Sequence, residues 1–196
     1  MDKIERIKQN KGYNSHHCPE LSNVQIKAKT LCQKYNMTLP NETKLREEIL
    51  FSLLGTYHPC GIEPSFHCDY GFNIHLHGFC LLNYNCVILD TSPVNIGNMV
   101  FIAPNCVIAC SGHAIDPIQR SQGIGTSKPI TIKDNVWIGA SSTIIGGVTI
   151  GENSIIAAGS VVTRDIPDNV VARGVPCKVI RKITKEDKID PSNIEF

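Results

Sequence analysis

Several features that mark whole classes of proteins are scarce in this chain of 196 residues. Its 19 Lys and Arg nearly cancel its 18 Asp and Glu, so no single-sign field can attract nucleic acid or an anionic membrane. Aromatic residues make up only 6%, which argues against a surface for stacking bases. No apolar run is as long as a membrane span, and the N-terminus carries no signal peptide. We therefore expect a cytoplasmic protein.

Cysteine, in contrast, is frequent, with nine residues. No two of them form a Cys-x-x-Cys pair, so the chain lacks the usual zinc-ribbon and redox motifs. In the absence of a signal peptide we expect free thiols. Four of them stand among small and apolar residues, where a thiol behaves as a small hydrophobe: Cys80, Cys86, Cys106 and Cys110.

The first part of the chain predicts a helical hairpin. From Glu20 to Tyr35, apolar residues recur at spacings of three and four, and a second stripe runs through Leu45, Ile49 and Leu53. Asn41 is the expected N-cap of the second helix, and Gly55 its stop. We assign residues 1–56 to this helical segment.

A repeat with a period of six residues follows. Aliphatic residues return at every sixth position across residues 96–108 and 132–162, and residues 76, 82 and 88 keep the same spacing. One repeat cannot bury its apolar face alone, so neighbouring repeats must stack. A helix is excluded, because a period of six does not keep one face apolar at 3.6 residues per turn. The sequence therefore predicts a β-solenoid over residues 57–176.

Residues 110–129 interrupt the repeat and predict an external loop. This stretch has no aliphatic frame and several Gly and Ser residues, and long loops in compact domains often carry function. After Val162 the repeat ends. We expect a C-terminal helix or turn from near Lys178 and a loosely held polar tail, which together take residues 177–196.

Several motifs resemble, in order and spacing, the hexapeptide-repeat acetyltransferases that modify sugars, above all the maltose and galactoside O-acetyltransferases. They are CDYGFNI from Cys68, NYN from Asn83, GHAIDP from Gly112, NVWIG from Asn135 and GVPCKVI from Gly174. The resemblance implies a left-handed parallel β-helix of triangular section and a homotrimer with its sites between subunits. It also implies direct transfer of an acetyl group from acetyl-CoA to a hydroxyl of a sugar or related small acceptor, without a metal.

The same resemblance implies roles for individual residues. His113 would be the general base, because an imidazole with a pKa of roughly 6.5 can take the proton of the attacking hydroxyl. Asn83 matches a position that contacts the acceptor in the active site, where an amide both donates and accepts. Asp69 and Asp90 match acceptor-side positions, although a structural role in the coil corners stays open for both.

Acetyl-CoA would lie along residues that are aromatic, small or basic. Trp137 is the only tryptophan, and the small residues would let a thin pantetheine arm pass, although they also suit ordinary corners. Cations suit the phosphates of CoA. The implied set is Trp137, Gly139, Ala140, Ala158, Thr163, Arg164, Lys178 and Arg181.

The N-terminal segment departs from the family pattern, which commonly carries Tyr-x-x-x-Asp. Here His17 stands where Asp is expected after Tyr13, so we assign His17 to the acceptor side and leave the acceptor open. The alternatives are an aminosugar, alcohol or drug-like acceptor, or a non-catalytic β-helix assembly module. A zinc lyase of the γ-carbonic-anhydrase type needs three histidines, and no second His follows His113 in the loop.

Overall fold

Successive hexapeptides become short strands that join three parallel sheets in turn. The computed structural model describes residues 13–14 and 19–193. The first sheet contains Ile74–Leu76, Val94–Ile96, Ile130–Ile132 and Thr149–Ile150. The second contains Gly61–Ile62, Cys80–Leu82, Val100–Ile102, Trp137–Ile138, Ile155–Ile156, Val170–Arg173 and Lys178–Lys182. The third contains His67–Cys68, Val87–Leu89, Val107–Ala109, Thr143–Ile145 and Val161–Val162.

The core is formed by the aliphatic residues that set the sixfold frame. Leu82, Ile102, Ile138 and Ile156 stack in one register on the second sheet, and each is at most 1% exposed. Fully burying such a side chain stabilises the fold by roughly 1.5–3 kcal/mol relative to leaving it exposed. Coil stacks on coil through these columns, so the prediction of a parallel β-helix is confirmed.

Asparagine occupies many of the tight corners between strands. Asn135, Asn153 and Asn169 have φ values of 58°, 59° and 60°, a left-handed conformation that Asn tolerates better than most residues. The Asn135 amide donates to Asn153 Oδ1 at 3.1 Å, and the Asn153 amide donates to Asn169 Oδ1 at 3.0 Å. These bonds form a polar ladder that links three successive coils.

A helical hairpin caps the first coil. Helix α1 spans Pro19–Asn36 and helix α2 spans Thr43–Leu53. The predicted N-cap of α2 was wrong, because Glu42 takes that position and its carboxylate accepts the Leu39 N–H at 2.7 Å. Leu45 is 43% exposed and lies outside the apolar face that Ile49, Leu50 and Leu53 bury.

Arg46 of α2 attaches the hairpin to the first coil. Its guanidinium donates to the Ile62 carbonyl at 2.8 Å and to the Tyr35 hydroxyl at 3.1 Å. It also lies 5.1 Å from the centre of the Tyr35 ring, so one cation holds α1 and the second sheet together.

The interruption of the repeat folds as an antiparallel hairpin that leaves the coil and returns to it. Strands Ser111–His113 and Ile124–Ser127 pair with each other, and Tyr13–Asn14 adds a third strand. Between the first two lies the short helix α3, Pro117–Ser121. The chain rejoins the first sheet where the Ile130 N–H donates to the Pro93 carbonyl at 3.0 Å.

The C-terminal region corrects one expectation. Lys178–Lys182 is not a helix but a strand that runs antiparallel to Val170–Arg173. The last parallel strand would otherwise leave a row of unpaired N–H and carbonyl groups at the sheet edge, and the returning strand satisfies them. Two short 3₁₀ turns follow, Lys185–Asp187 and Pro191–Asn193. No helix among residues 19–193 is long and apolar enough for a membrane span.

Candidate active site

A groove of about 420 Å³ lies on the outer face of the second sheet. It is lined by Leu81, Asn83, Phe101, Ile102, Ala103 and Trp137. Strand register puts Leu81, Phe101 and Trp137 side by side, and Trp137 is 54% exposed. The groove therefore offers a mostly apolar wall with one amide, Asn83, at its edge.

The apolar wall continues beyond Trp137 as an outer column. Ile155 and Val171 follow in register, and Arg181 comes next on the antiparallel strand. Since neighbouring strands lie about 4.8 Å apart, the column extends roughly 14 Å from Trp137 to Arg181. The Arg181 guanidinium binds both carboxylate oxygens of Asp187, at 2.7 and 2.8 Å. An apolar track that ends near a cation suits an elongated ligand with a phosphate at one end.

His113 lies on the hairpin that leaves the coil. It ends the strand Ser111–His113 opposite Gly125, and its side chain is exposed. Within the described part of the chain, no residue forms a hydrogen bond with its imidazole. Asp116, three residues further on, caps α3, because its carboxylate accepts the Gln119 N–H at 2.8 Å. The imidazole is thus held by the hairpin backbone and remains open to a ligand.

One side-chain atom of Asn83 forms a hydrogen bond within its own corner of the coil. Its Oδ1 accepts the Tyr84 N–H at 2.8 Å, while its backbone N–H donates to the Ile102 carbonyl. No hydrogen-bond acceptor among the described residues meets its Nδ2, so the two N–H donors of the amide are available at the groove edge.

Asp90 is fully buried, and its carboxylate organises the preceding coil. Oδ1 accepts the N–H groups of Asp69 and Tyr70 at 3.1 and 2.8 Å, and Oδ2 accepts that of Asn73 at 3.3 Å. Burial raises the pKa of Asp90 to about 6, although the Tyr70 N–H opposes the shift. With no exposed surface, Asp90 has the structural role and not the direct acceptor contact.

Asp69 is only partly buried and stands at the start of the segment that Asp90 holds. Burial raises its pKa, and the charge of Lys29 on α1 opposes the shift. Of the two carboxylates predicted on the acceptor side, Asp69 is therefore the one that a ligand can reach.

The small residues predicted to contact acetyl-CoA also allow neighbouring coils to stack closely. A Cβ on Gly139 would meet the Ala158 backbone nitrogen at 2.5 Å, so two coils can stack at this corner only if one residue is glycine. The Gly159 N–H donates to the Ala140 carbonyl at 2.8 Å in the same stack. Ala158 is exposed and still presents its backbone to a ligand.

The four residues predicted at the nucleotide end of acetyl-CoA, three cations and Thr163, do not all lie together. Lys178 and Arg181 share the last strand of the second sheet, whereas Thr163 and Arg164 follow Val161–Val162 of the third sheet. All four side chains are exposed. The structure thus brings Trp137 and Arg181 into one column and sets Thr163 and Arg164 apart from it.

The cysteines next to the interrupting hairpin are buried. Cys106 donates its thiol to the Gly139 carbonyl at 3.3 Å, and burial raises the pKa of Cys110 to about 12. Both fit the predicted role of small hydrophobes. Across residues 19–193, no three His, Cys, Asp or Glu side chains form a metal-binding group. The predicted acceptor-side residue His17 lies outside the described residues.

Phe101 and Leu81 line the groove but were missed by the sequence analysis. Both precede an inward aliphatic residue of the repeat, as Trp137 does. Large apolar residues at this outward position in successive repeats are the signal that could have identified the groove.

Comparison with known proteins supplies the family. The bacterial transferase hexapeptide (six repeats) model matches residues 129–164, and the maltose acetyltransferase hexapeptide capping motif matches residues 9–58. The galactoside O-acetyltransferase of Escherichia coli K12 is 42% identical over 96% of this chain and 93% of its own.

Two solved structures agree with this match. A maltose O-acetyltransferase from Clostridium difficile 630 has 42% identity and a TM-score of 0.88, covering 94% of this chain and 99% of that one. A galactoside acetyltransferase in complex with coenzyme A has 41% identity and a TM-score of 0.85, covering 95% and 94%.

The coil and its helical cap define an acyltransferase built from hexapeptide repeats. The chain belongs to the hexapeptide-repeat acetyltransferases, in the branch that holds the maltose and galactoside O-acetyltransferases. The predicted family and enzyme class are both confirmed.

Proposed function

We propose that this protein transfers the acetyl group of acetyl-CoA to a hydroxyl of a sugar or related small acceptor, with His113 as general base. The observation that carries the proposal is the close match to an acetyltransferase solved with coenzyme A, combined with an exposed imidazole on the interrupting hairpin. Among the described residues, the His113 imidazole, the Asn83 amide and the Trp137 indole are open to a ligand.

The reaction needs one proton transfer in each direction. The His113 imidazole takes the hydroxyl proton while the acceptor oxygen attacks the thioester carbonyl carbon. When the tetrahedral intermediate collapses, the carbon–sulfur bond breaks and the imidazolium returns the proton to the CoA sulfur. General base catalysis of this kind is typically worth about 10²–10⁴ in rate.

The acceptor would be held by one amide and one carboxylate. Asn83 has two N–H donors that no described residue uses, which suits an acceptor oxygen. Asp69 can accept hydrogen bonds from further hydroxyls, and its backbone is fixed by Asp90. Asp90 would thus act as a positioning residue. His17, at the position of the family Asp, is the residue we assign to select the acceptor.

Acetyl-CoA would follow the outer column. Trp137 offers an exposed indole beside the groove, and Ile155 and Val171 continue the apolar track towards Arg181 and Lys178. These cations suit the phosphates of the nucleotide. Gly139, Ala140 and Ala158 would let the pantetheine arm approach the backbone, while Thr163 and Arg164 would contact the nucleotide from the neighbouring sheet.

We further propose a homotrimer with each site between two subunits. Four large apolar residues on the second sheet or beside it are 39–54% exposed: Phe79, Met99, Phe101 and Trp137. A contiguous apolar surface of this kind marks an interface or a ligand groove. A second copy that covers part of it would close the groove around acetyl-CoA and exclude water from the thioester.

The acceptor and the base can be tested in one assay. Release of free CoA is measured across sugars, aminosugars and small alcohols for the wild-type protein, His113→Ala and the control His58→Ala, which removes an exposed histidine near the helical cap. We expect His113→Ala to lose about 10²–10⁴ in kcat while it still binds acetyl-CoA, and His58→Ala to remain active.

Three results would contradict the proposal. Equal kcat in His113→Ala and the wild-type protein would refute the base. Turnover with none of the hydroxyl acceptors, but with an amine, would refute O-acetylation. A wild-type protein that does not bind acetyl-CoA would favour the assembly module.

A further inference from the structure

Two cysteines that acetyl transfer does not use lie in direct contact under the helical cap. The Sγ atoms of Cys32, on helix α1, and Cys68, on the strand His67–Cys68, are 3.6 Å apart. Both side chains are buried, with 1% and 6% of their surface exposed, and both are free thiols. Thirty-six residues separate them in sequence, so the contact joins two different parts of the fold.

We propose that Cys32 and Cys68 form a redox-modification site, in which a disulfide oxidant of the glutathione class joins them and ties helix α1 to the first coil of the β-helix.

The geometry requires only a small movement. A disulfide has a sulfur–sulfur distance of about 2.05 Å, so the two atoms must approach each other by roughly 1.5 Å. Helix α1 and the strand of Cys68 already pack against each other, with Cys32 and Cys68 in the same core cluster. Cys86 and Cys106 differ, since they direct their thiols towards the backbone carbonyls of Ala103 and Gly139, whereas the buried Cys80 also hydrogen-bonds to a thiol, that of Cys60.

The contact also suits thiol exchange. The hydrogen bond with the Cys68 thiol holds the pKa of Cys32 below its usual value, although burial opposes the shift. When opening of the cap admits the oxidant, the Cys32 thiolate attacks a sulfur of oxidised glutathione and releases one glutathione thiolate. Cys68 then loses its proton and attacks Cys32 Sγ, which releases the second glutathione. Two protons leave the protein, and its two electrons reduce one glutathione disulfide.

The bond would restrain the cap where it meets the acceptor side. Cys68 directly precedes Asp69, and α1 carries Lys29, whose charge acts on Asp69. A covalent link between α1 and this strand closes a long loop, which lowers the conformational entropy of the unfolded chain. The oxidised protein should therefore unfold at a higher temperature than the reduced protein.

The experiment equilibrates the full-length chain in glutathione buffers that range from fully reduced to fully oxidised. Refolding from urea in each buffer gives the buried thiols access to the oxidant. Free thiols are then alkylated, and the digested protein is mapped without reduction. We expect one cross-linked peptide pair that contains Cys32 and Cys68, its loss on treatment with dithiothreitol, and a rise of roughly 5–10 °C in the unfolding midpoint.

Variants separate this pair from the other thiols. Cys32→Ala and Cys68→Ala should each abolish the cross-link and the oxidant-dependent shift, whereas Cys106→Ala, which also removes a buried thiol, should keep both. Cross-links of Cys32 or Cys68 to any other cysteine, or no Cys32–Cys68 peptide in the most oxidising buffer, would overturn the proposal. A cross-link without a shift in the midpoint would refute the restraint on α1. None of these readouts depends on acetyl transfer.

Discussion

Replacing Asp90 with Asn should change how the stability of the protein depends on pH. Asp90 is fully buried, and burial raises the pKa of its carboxyl from 3.8 to about 6 in the folded state. The folded protein therefore binds this proton more tightly than the unfolded chain. The stability that protonated Asp90 contributes is complete below about pH 3.8 and is lost as the pH rises through about 6.

The size of this change in stability follows from the pKa shift of Asp90. A difference between 3.8 and about 6 corresponds to about 3 kcal/mol between the two protonation states. Asn does not titrate. The free energy of unfolding of the wild-type protein, minus that of Asp90→Asn, should therefore fall by about 3 kcal/mol between pH 3.8 and pH 7. A fixed offset of about 1 kcal/mol is added at every pH, because the amide nitrogen cannot accept the Asn73 N–H that Oδ2 accepts.

Urea denaturation of both proteins across this pH range measures the difference directly, and the subtraction cancels groups that titrate equally in the two proteins. A difference that stays constant with pH would refute the reasoning. A difference that grows in favour of the wild-type protein would mean that the N–H groups of Asp69, Tyr70 and Asn73 outweigh desolvation. In that case the carboxylate would stabilise the coil by its charge.

Three other substitutions test the coil and the groove. Asn153→Ala should cost about 1–2 kcal/mol in strain at its φ of 59°, and about 1 kcal/mol for each lost ladder bond, whereas Asn153→Gly should lose only the bonds. Ile156→Ala should lower the free energy of unfolding by about 2–5 kcal/mol, against about 0.5 kcal/mol for exposed Ile26→Ala. Urea titration measures both costs. Trp137→Ala should raise the Kd for acetyl-CoA in calorimetry, while Phe51→Ala, an exposed aromatic of α2, should not; equal effects would argue against the outer column.

The sequence predicts the coil because the physical cause of the repeat is local. An inward aliphatic residue at every sixth position, with small residues at the corners, is enough to fix which residues stack. The last strand, Lys178–Lys182, could not be predicted in this way. It forms because Val170–Arg173 would otherwise be an open sheet edge, and an edge is a property of the assembled sheet.

The candidate site, too, could be predicted from the sequence only in part. The resemblance singled out His113 and Trp137, and both are exposed as a ligand-binding role requires. The sequence left the role of Asp90 open and did not predict the contact between Cys32 and Cys68, because each depends on which segment lies above which coil. Their partners are 17 to 36 residues away in sequence, a distance over which spacing alone does not identify a neighbour.

Three residues of the proposed function depart from the regular pattern of the coil. His113 stands where a coil is interrupted, Trp137 is the one tryptophan in a column of outward aliphatic and aromatic residues, and Asp90 buries a carboxylate. Regular coils hold Trp137 on both sides, since its strand pairs with Val100–Ile102 below and Ile155–Ile156 above. A catalytic group placed on such a frame has little freedom to move out of position. In the proposed function, the frame would hold the cofactor track, while the helical cap and the segment before it would select the acceptor.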